Sequence, residues 1–192
     1  FAWLKARLLT TATAQEEKNL AAIFTPFVFR QYLDYGMLAA LRALHAKIKL
    51  EVAQQGKQHN IKLGAGGIRE IEFIAQIFQL MRGGREQRLR SKSTRQTLST
   101  LAELGVLTVA EAQALQAAYV FLRNLEHRLQ YLDDLQTQHL PKEGSADWKV
   151  LAQSMGFVEI ADFTQQLDLH RQVVNRIFNA VFHVESSEIP PV

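Results

Sequence analysis

The chain has 192 residues, 47% of them hydrophobic and 21% charged, with a net charge of +3 and no cysteine. That balance excludes intrinsic disorder, and the missing thiols exclude disulfide scaffolds, Cys-ligated zinc and thiol nucleophiles. No apolar run approaches the roughly 18 residues that cross a bilayer, and the net charge is too small to announce a nucleic-acid binder.

The chain opens on Phe1 without a charged and apolar leader, which reads as a piece of a longer protein from a reducing, cytoplasmic compartment. Thr25-Pro26 reads as a helix start, with an N-cap oxygen followed by a first-turn proline. Asp34 then caps a long helix whose apolar residues Leu38, Leu41, Leu44, Ile48 and Val52 recur at three and four; it runs to about Gln55, and Gly56 stops it. Residues 57–67 break the period, with Ile61-Lys62-Leu63 either a short strand or an extended loop. A new helix starts near Ile68 on the stripe Ile71, Ile74, Phe78, Met81 and ends at Gly83-Gly84.

Ser93 with Gln96, and Thr108 with Glu111, read as two capping boxes. The first helix runs to Leu104 and stops at Gly105; the second buries Ala118, Leu122, Leu125, Leu129 and Leu132. Ser145 caps a short helix that ends at Gly156. The last helix runs from about Ile160 to Phe182 on Phe163, Leu167, Val174, Ile177, Phe178 and Val181. The fold class is all-α: a bundle of seven or eight helices with one short extended glycine-rich segment near residues 60–67. The expected organisation is one helical domain over residues 1–183 and a frayed polar tail over 184–192.

Gly64-Ala65-Gly66-Gly67-Ile68-Arg69 is the most specific feature. Backbone amides before a helix N-terminus attract anions, glycines let a phosphate approach, and Arg69 adds a forked cation. The alternative is a tight loop-to-helix turn without a ligand. It is not a Walker loop, because no Gly-Lys-Ser/Thr follows. After it, Arg69, Glu72, Gln76 and Gln79 share one helix face, while Glu70 points roughly 200° away from Glu72. The later helix offers Arg123 and Glu126, so Arg69–Glu126 and Glu72–Arg123 contacts would make an ionic network; a solvated face is the plainer reading.

Residues 82–95 carry six cations against Glu86 alone. They form either a solvated basic loop or a docking patch, with Arg85, Arg88 and Arg90 meeting an acidic or phosphate-bearing partner. No aromatic interrupts them, so base stacking is not expected. The six histidines show neither an i, i+4 pair nor HExxH, so no metal site is expected.

The run Asn60–Gln76, with Phe1–Arg7, Gln79–Gly84 and Ala118–Gln130, resembles the bacterial glutamine synthetase adenylyltransferases, and more loosely the PII uridylyltransferases. The GAGGIREIEF wording resembles the N-terminal half, which removes AMP. The resemblance implies a nucleotidyltransferase that uses magnesium with ATP, ADP and phosphate. Its implied partners are glutamine synthetase, the PII signalling protein and an upstream nucleotidyltransferase domain, with neither nucleic acid nor membrane. The family's Asp-x-Asp metal motif is missing from these 192 residues. The resemblance therefore implies an inactive piece that supports a neighbouring site: Gly64, Gly66, Gly67 and Arg69 hold phosphate or nucleotide, and Glu70 or Glu72 lends a carboxylate. The alternative function is an interaction module for glutamine synthetase or PII. No ligand is expected on the piece alone.

Overall fold

The computed structural model describes residues 2–6, 9–10, 13–30, 35–54, 59–132 and 137–183. The described elements are seven α-helices and two 3-10 turns, Ala2–Lys5 and Gln87–Arg90. The helices are α1 (Ala14–Val28), α2 (Tyr35–Gln54), α3 (Ile68–Arg82), α4 (Thr94–Glu103), α5 (Val109–Leu132), α6 (Ala146–Ser154) and α7 (Ile160–His183). The fold is all-α, and its one β-bridge among the described residues pairs Asn60 with His139. Ile61–Leu63 is a turn and not a strand.

The chain divides into two compact units: Phe1–Asp34 with Glu72–Ala112, and Tyr35–Ile71 with Gln113–Val192. The division falls inside α3 and α5.

In the first unit, α1 starts at Thr13, not at Thr25-Pro26. Thr13 and Glu16 cap each other's backbone reciprocally, and Pro26 sits in the last turn. A proline so close to the end removes a single ladder bond, and Phe29 N–H still reaches Thr25 O at 2.8 Å. Trp3 stacks on Phe24 with ring centroids 4.5 Å apart. Leu89, Leu98 and Leu101 are fully buried where the Gln87–Arg90 turn meets α4. Ser93 caps α4 through Gln96 N–H. The reciprocal half of that box does not form, because the Gln96 side chain accepts from Ser91 Oγ instead.

In the second unit, α2 ends at Gln54. The expected cap Asp34 and stop Gly56 lie outside the described residues, as does the 184–192 tail. The Thr108–Glu111 box that starts α5 lies in the first unit and is complete. Along α5, Leu115, Ala118, Leu122, Leu125 and Leu129 are buried. Ser145 caps α6 through Trp148 N–H. Trp148 meets Phe163 of α7 edge-on at 5.2 Å, and its indole N–H donates to Thr164 at 3.3 Å. No helix among the described residues is long and apolar enough to cross a membrane.

Candidate functional site: the glycine loop before α3

Asn60 begins the loop. Its buried side-chain oxygen accepts from the amides of Lys62 and Leu63, both at 2.9 Å, and folds the chain back on itself. The backbone of residues 59–61 is tied to residues 138–140 through Ile61 N–H to Gln138 O at 2.9 Å and Leu140 N–H to His59 O at 3.1 Å. The turn then closes on its own carbonyls: Gly64 N–H donates to Asn60 O, Gly67 N–H to Gly64 O, Ile68 N–H to Ile61 O and Arg69 N–H to Lys62 O.

The remaining glycine amide, Gly66 N–H, donates to Glu70 Oε2 at 2.9 Å. A carboxylate of the chain's own therefore occupies the position that favours an anion at the start of α3. Gly64, Gly66 and Gly67 are buried. The open cradle of free amides expected at these three glycines is not what the loop presents. The reason is local: a four-residue reach lets Glu70 satisfy Gly66, and the tight turn satisfies the others.

The glycines answer to packing. Gly66 has φ +70, and a Cβ there would lie 2.1 Å from the backbone oxygen of Arg171. A Cβ on Gly67 would lie 2.7 Å from Ile61 O and 2.8 Å from Gly64 O. Arg171 of α7 also donates from Nε to Ala65 O at 3.0 Å. Burial pulls the Arg171 guanidinium below its ordinary value, and the carboxylates of Asp168 and Glu70 oppose that pull. His45 of α2 approaches the other Glu70 oxygen at 4.0 Å, and its ring meets Phe178 at a tilt with centroids 4.4 Å apart. Glu70 itself is only 7% exposed.

A second polar cluster braces the same loop. Glu126, 3% exposed, takes the Arg123 guanidinium from its own helix. Lys62 of the loop reaches its other oxygen at 3.7 Å, and the Gln138 amide donates to it at 3.3 Å. Glu126 thus meets Lys62 and Arg123 where the sequence pairs it with Arg69. Lys62 carries no sequence signal for that role, since a lysine two residues into a turn belongs to no periodic face.

Arg69 is exposed at the first turn of α3. Glu72 is half-buried and lies in the field of Lys5, whose ammonium is pulled below its ordinary value by burial and pushed back by Glu72. Gln79, at the far end of the expected polar face, is fully buried, and its amide donates to Leu89 O at 2.7 Å and Ser91 O at 2.6 Å. Of the three basic docking candidates, Arg88 pairs with Glu86 at 2.9 Å and Glu103 at 3.3 Å. Arg90 donates to Gly83 O at 2.6 Å and Gly84 O at 3.1 Å, and lies over the Phe29 ring. Arg85 is exposed.

No group of three or more His, Asp or Glu side chains among the described residues could hold a metal ion.

The fold and the loop together define a helical scaffold whose glycine-rich hinge is sealed by its own carboxylate and by α7. The family model described as GlnD PII-uridylyltransferase matches residues 42–182, and the chain belongs to that family. Among curated proteins it is 50% identical to the bifunctional glutamine synthetase adenylyltransferase/adenylyl-removing enzyme of Neisseria meningitidis serogroup B, over 94% of this chain and 20% of that protein. The enzyme of the same description from Aromatoleum aromaticum is 50% identical over 98% of this chain and 20% of its own length. That from Ralstonia nicotianae is 43% identical over 100% and 22%. The chain spans about a fifth of the length of these relatives.

Proposed function

We propose that this chain is a helical part of a bifunctional enzyme that adenylylates and deadenylylates glutamine synthetase, from the half that removes AMP. The observation that carries the reading is the 50% identity over nearly all of this chain to an enzyme of that description. In the reaction, inorganic phosphate attacks the AMP phosphorus, the bond to the tyrosine oxygen breaks, and ADP and a free tyrosine hydroxyl result. Nucleotide, phosphate and magnesium would be handled largely by a neighbouring nucleotidyltransferase domain.

The part left to this chain is to present the start of α3 in a fixed position. The amides of Gly64, Gly66 and Gly67 are spent internally, so phosphate is not assigned to them. Glu70 is a brace for the loop and not a free carboxylate. Arg69 keeps its cation outward and is the group of this segment suited to meet phosphate at the neighbouring site. In the full-length enzyme Arg69→Ala is expected to lower deadenylylation turnover while binding of glutamine synthetase stays intact. Normal turnover in that variant rejects the role.

A second reading, docking of glutamine synthetase or the PII protein, rests on Arg85. Arg85 is exposed, while Arg88, exposed as well, pairs with Glu86 and Glu103, and Arg90 holds the carbonyl of Gly83. The two readings can hold together.

A further inference from the structure

We propose that the apolar face of α1 is a docking surface for another part of the same, longer polypeptide. The inference rests on the reading above only in that the chain is part of a longer enzyme. α1 is a 15-residue helix with a complete capping box, and none of its residues is buried. Its apolar stripe is Leu20, Ile23, Phe24 and Phe27, spaced three, one and three along one face. Ile23 is 67% exposed, Phe27 62%, and Trp3, which stacks on Phe24, 52%. A helix of this length is marginal in water unless its apolar face is covered, and a contiguous aromatic and aliphatic patch marks a contact surface.

The relatives point to what covers it. They match 94–98% of this chain but only 20% of their own length, so about four fifths of each lies outside the match. Four or five side chains fall short of the area a free dimer interface takes, about 800 Å² per partner. They suffice for a tethered surface, whose effective concentration reaches the millimolar range. The occupant is therefore an apolar surface elsewhere in the same polypeptide.

The test uses the full-length polypeptide. A photoreactive p-benzoylphenylalanine takes the place of Phe27, and in a second preparation the place of Lys18, which lies on the opposite side of α1. Irradiation is expected to join position 27 to a residue outside these 192 within one chain, with no such adduct from position 18. An adduct of twice the chain mass, adducts confined to these 192 residues, or none from position 27 overturns the proposal. Hydrogen exchange on the unaltered polypeptide gives a measurement free of any substitution. Protected amides over Ala21–Val28 support the proposal, and exchange at the rate of a free helix overturns it. Neither readout is enzymatic, so an enzyme lacking deadenylylation but yielding the adduct sinks the proposed function alone.

Discussion

Gly66 and Gly144 both hold positive φ, at +70 and +78, but they differ in what a side chain would meet. At Gly144 nothing lies within 4 Å of an added Cβ, whereas at Gly66 the backbone of Arg171 stands at 2.1 Å. Left-handed backbone costs a non-glycine residue about 1–2 kcal/mol, and overpacking a closed site adds about 1–3 kcal/mol. Gly66→Ala should therefore destabilise the chain by about 2–5 kcal/mol, and Gly144→Ala by about 1–2 kcal/mol, from strain alone. Denaturant unfolding of the two variants checks this, and equal midpoints would refute the packing role of Gly66. The glycines were legible in sequence as a turn before a helix. What fills the turn was not: Arg171 lies more than a hundred residues away, and no local pattern connects it to Ala65. Glu70 was within reach of a local argument, since a carboxylate at the third helical position regularly serves amides just before the helix. The loop's glycines, however, drew attention to an external anion.

Among the elements, helix ends were the most legible part of the fold. Caps at Ser93, Thr108 and Ser145 fix α4, α5 and α6 because an N-cap oxygen satisfies an amide that otherwise has no partner. α1 escaped the same logic although Thr13 and Glu16 spell a capping box, because Thr25-Pro26 offered a competing start that the fold places in a last turn. The stripe on α3 was legible only in part. Ile71, Ile74 and Met81 are buried as a single face predicts, but Phe73, Ala75 and Ile77 are buried as well, and so is Gln79. The helix is enclosed on most sides, and a polar residue inside it is tolerated because its amide ties the Gln87–Arg90 segment to α3. Two substitutions separate that tie from simple burial. Gln79→Leu keeps the volume and strips donors from the carbonyls of Leu89 and Ser91, a loss of about 1–3 kcal/mol. The uncompensated Gln79 Oε1 disappears with it, which offsets part of the cost. Gln79→Glu points an anion at the same carbonyls and should cost more, about 3–5 kcal/mol, the scale of an unpaired buried charge. Thermal unfolding that ranks the two variants equally would show that the amide is not what holds the segment.

For the whole molecule, the relatives it matches are about five times this length, and under the proposed function the question is which surfaces of this chain face the rest of such an enzyme. Charge alone misleads here, because the basic 82–95 segment spends much of its charge on itself. Arg88 closes on Glu86 and Glu103, and the Arg88–Glu86 bond holds the Glu86 carboxyl below its ordinary value. Arg90 closes on the carbonyls of Gly83 and Gly84. Reversing either charge would confound docking with local unfolding. Arg85 is exposed and makes the clean variant: Arg85→Glu should move stability by no more than about 0.5 kcal/mol, as surface substitutions do. If the segment meets an acidic surface of glutamine synthetase or the PII protein, the reversal acts first on the encounter. Association of the full-length enzyme should slow several-fold at low ionic strength, and the deficit should shrink as salt shortens the Debye length toward 8 Å near 0.15 M. Turnover at saturating partner should not change. Stopped-flow association measured across a salt series checks this. Rates that match the unaltered enzyme at every ionic strength would remove Arg85 from any docking face.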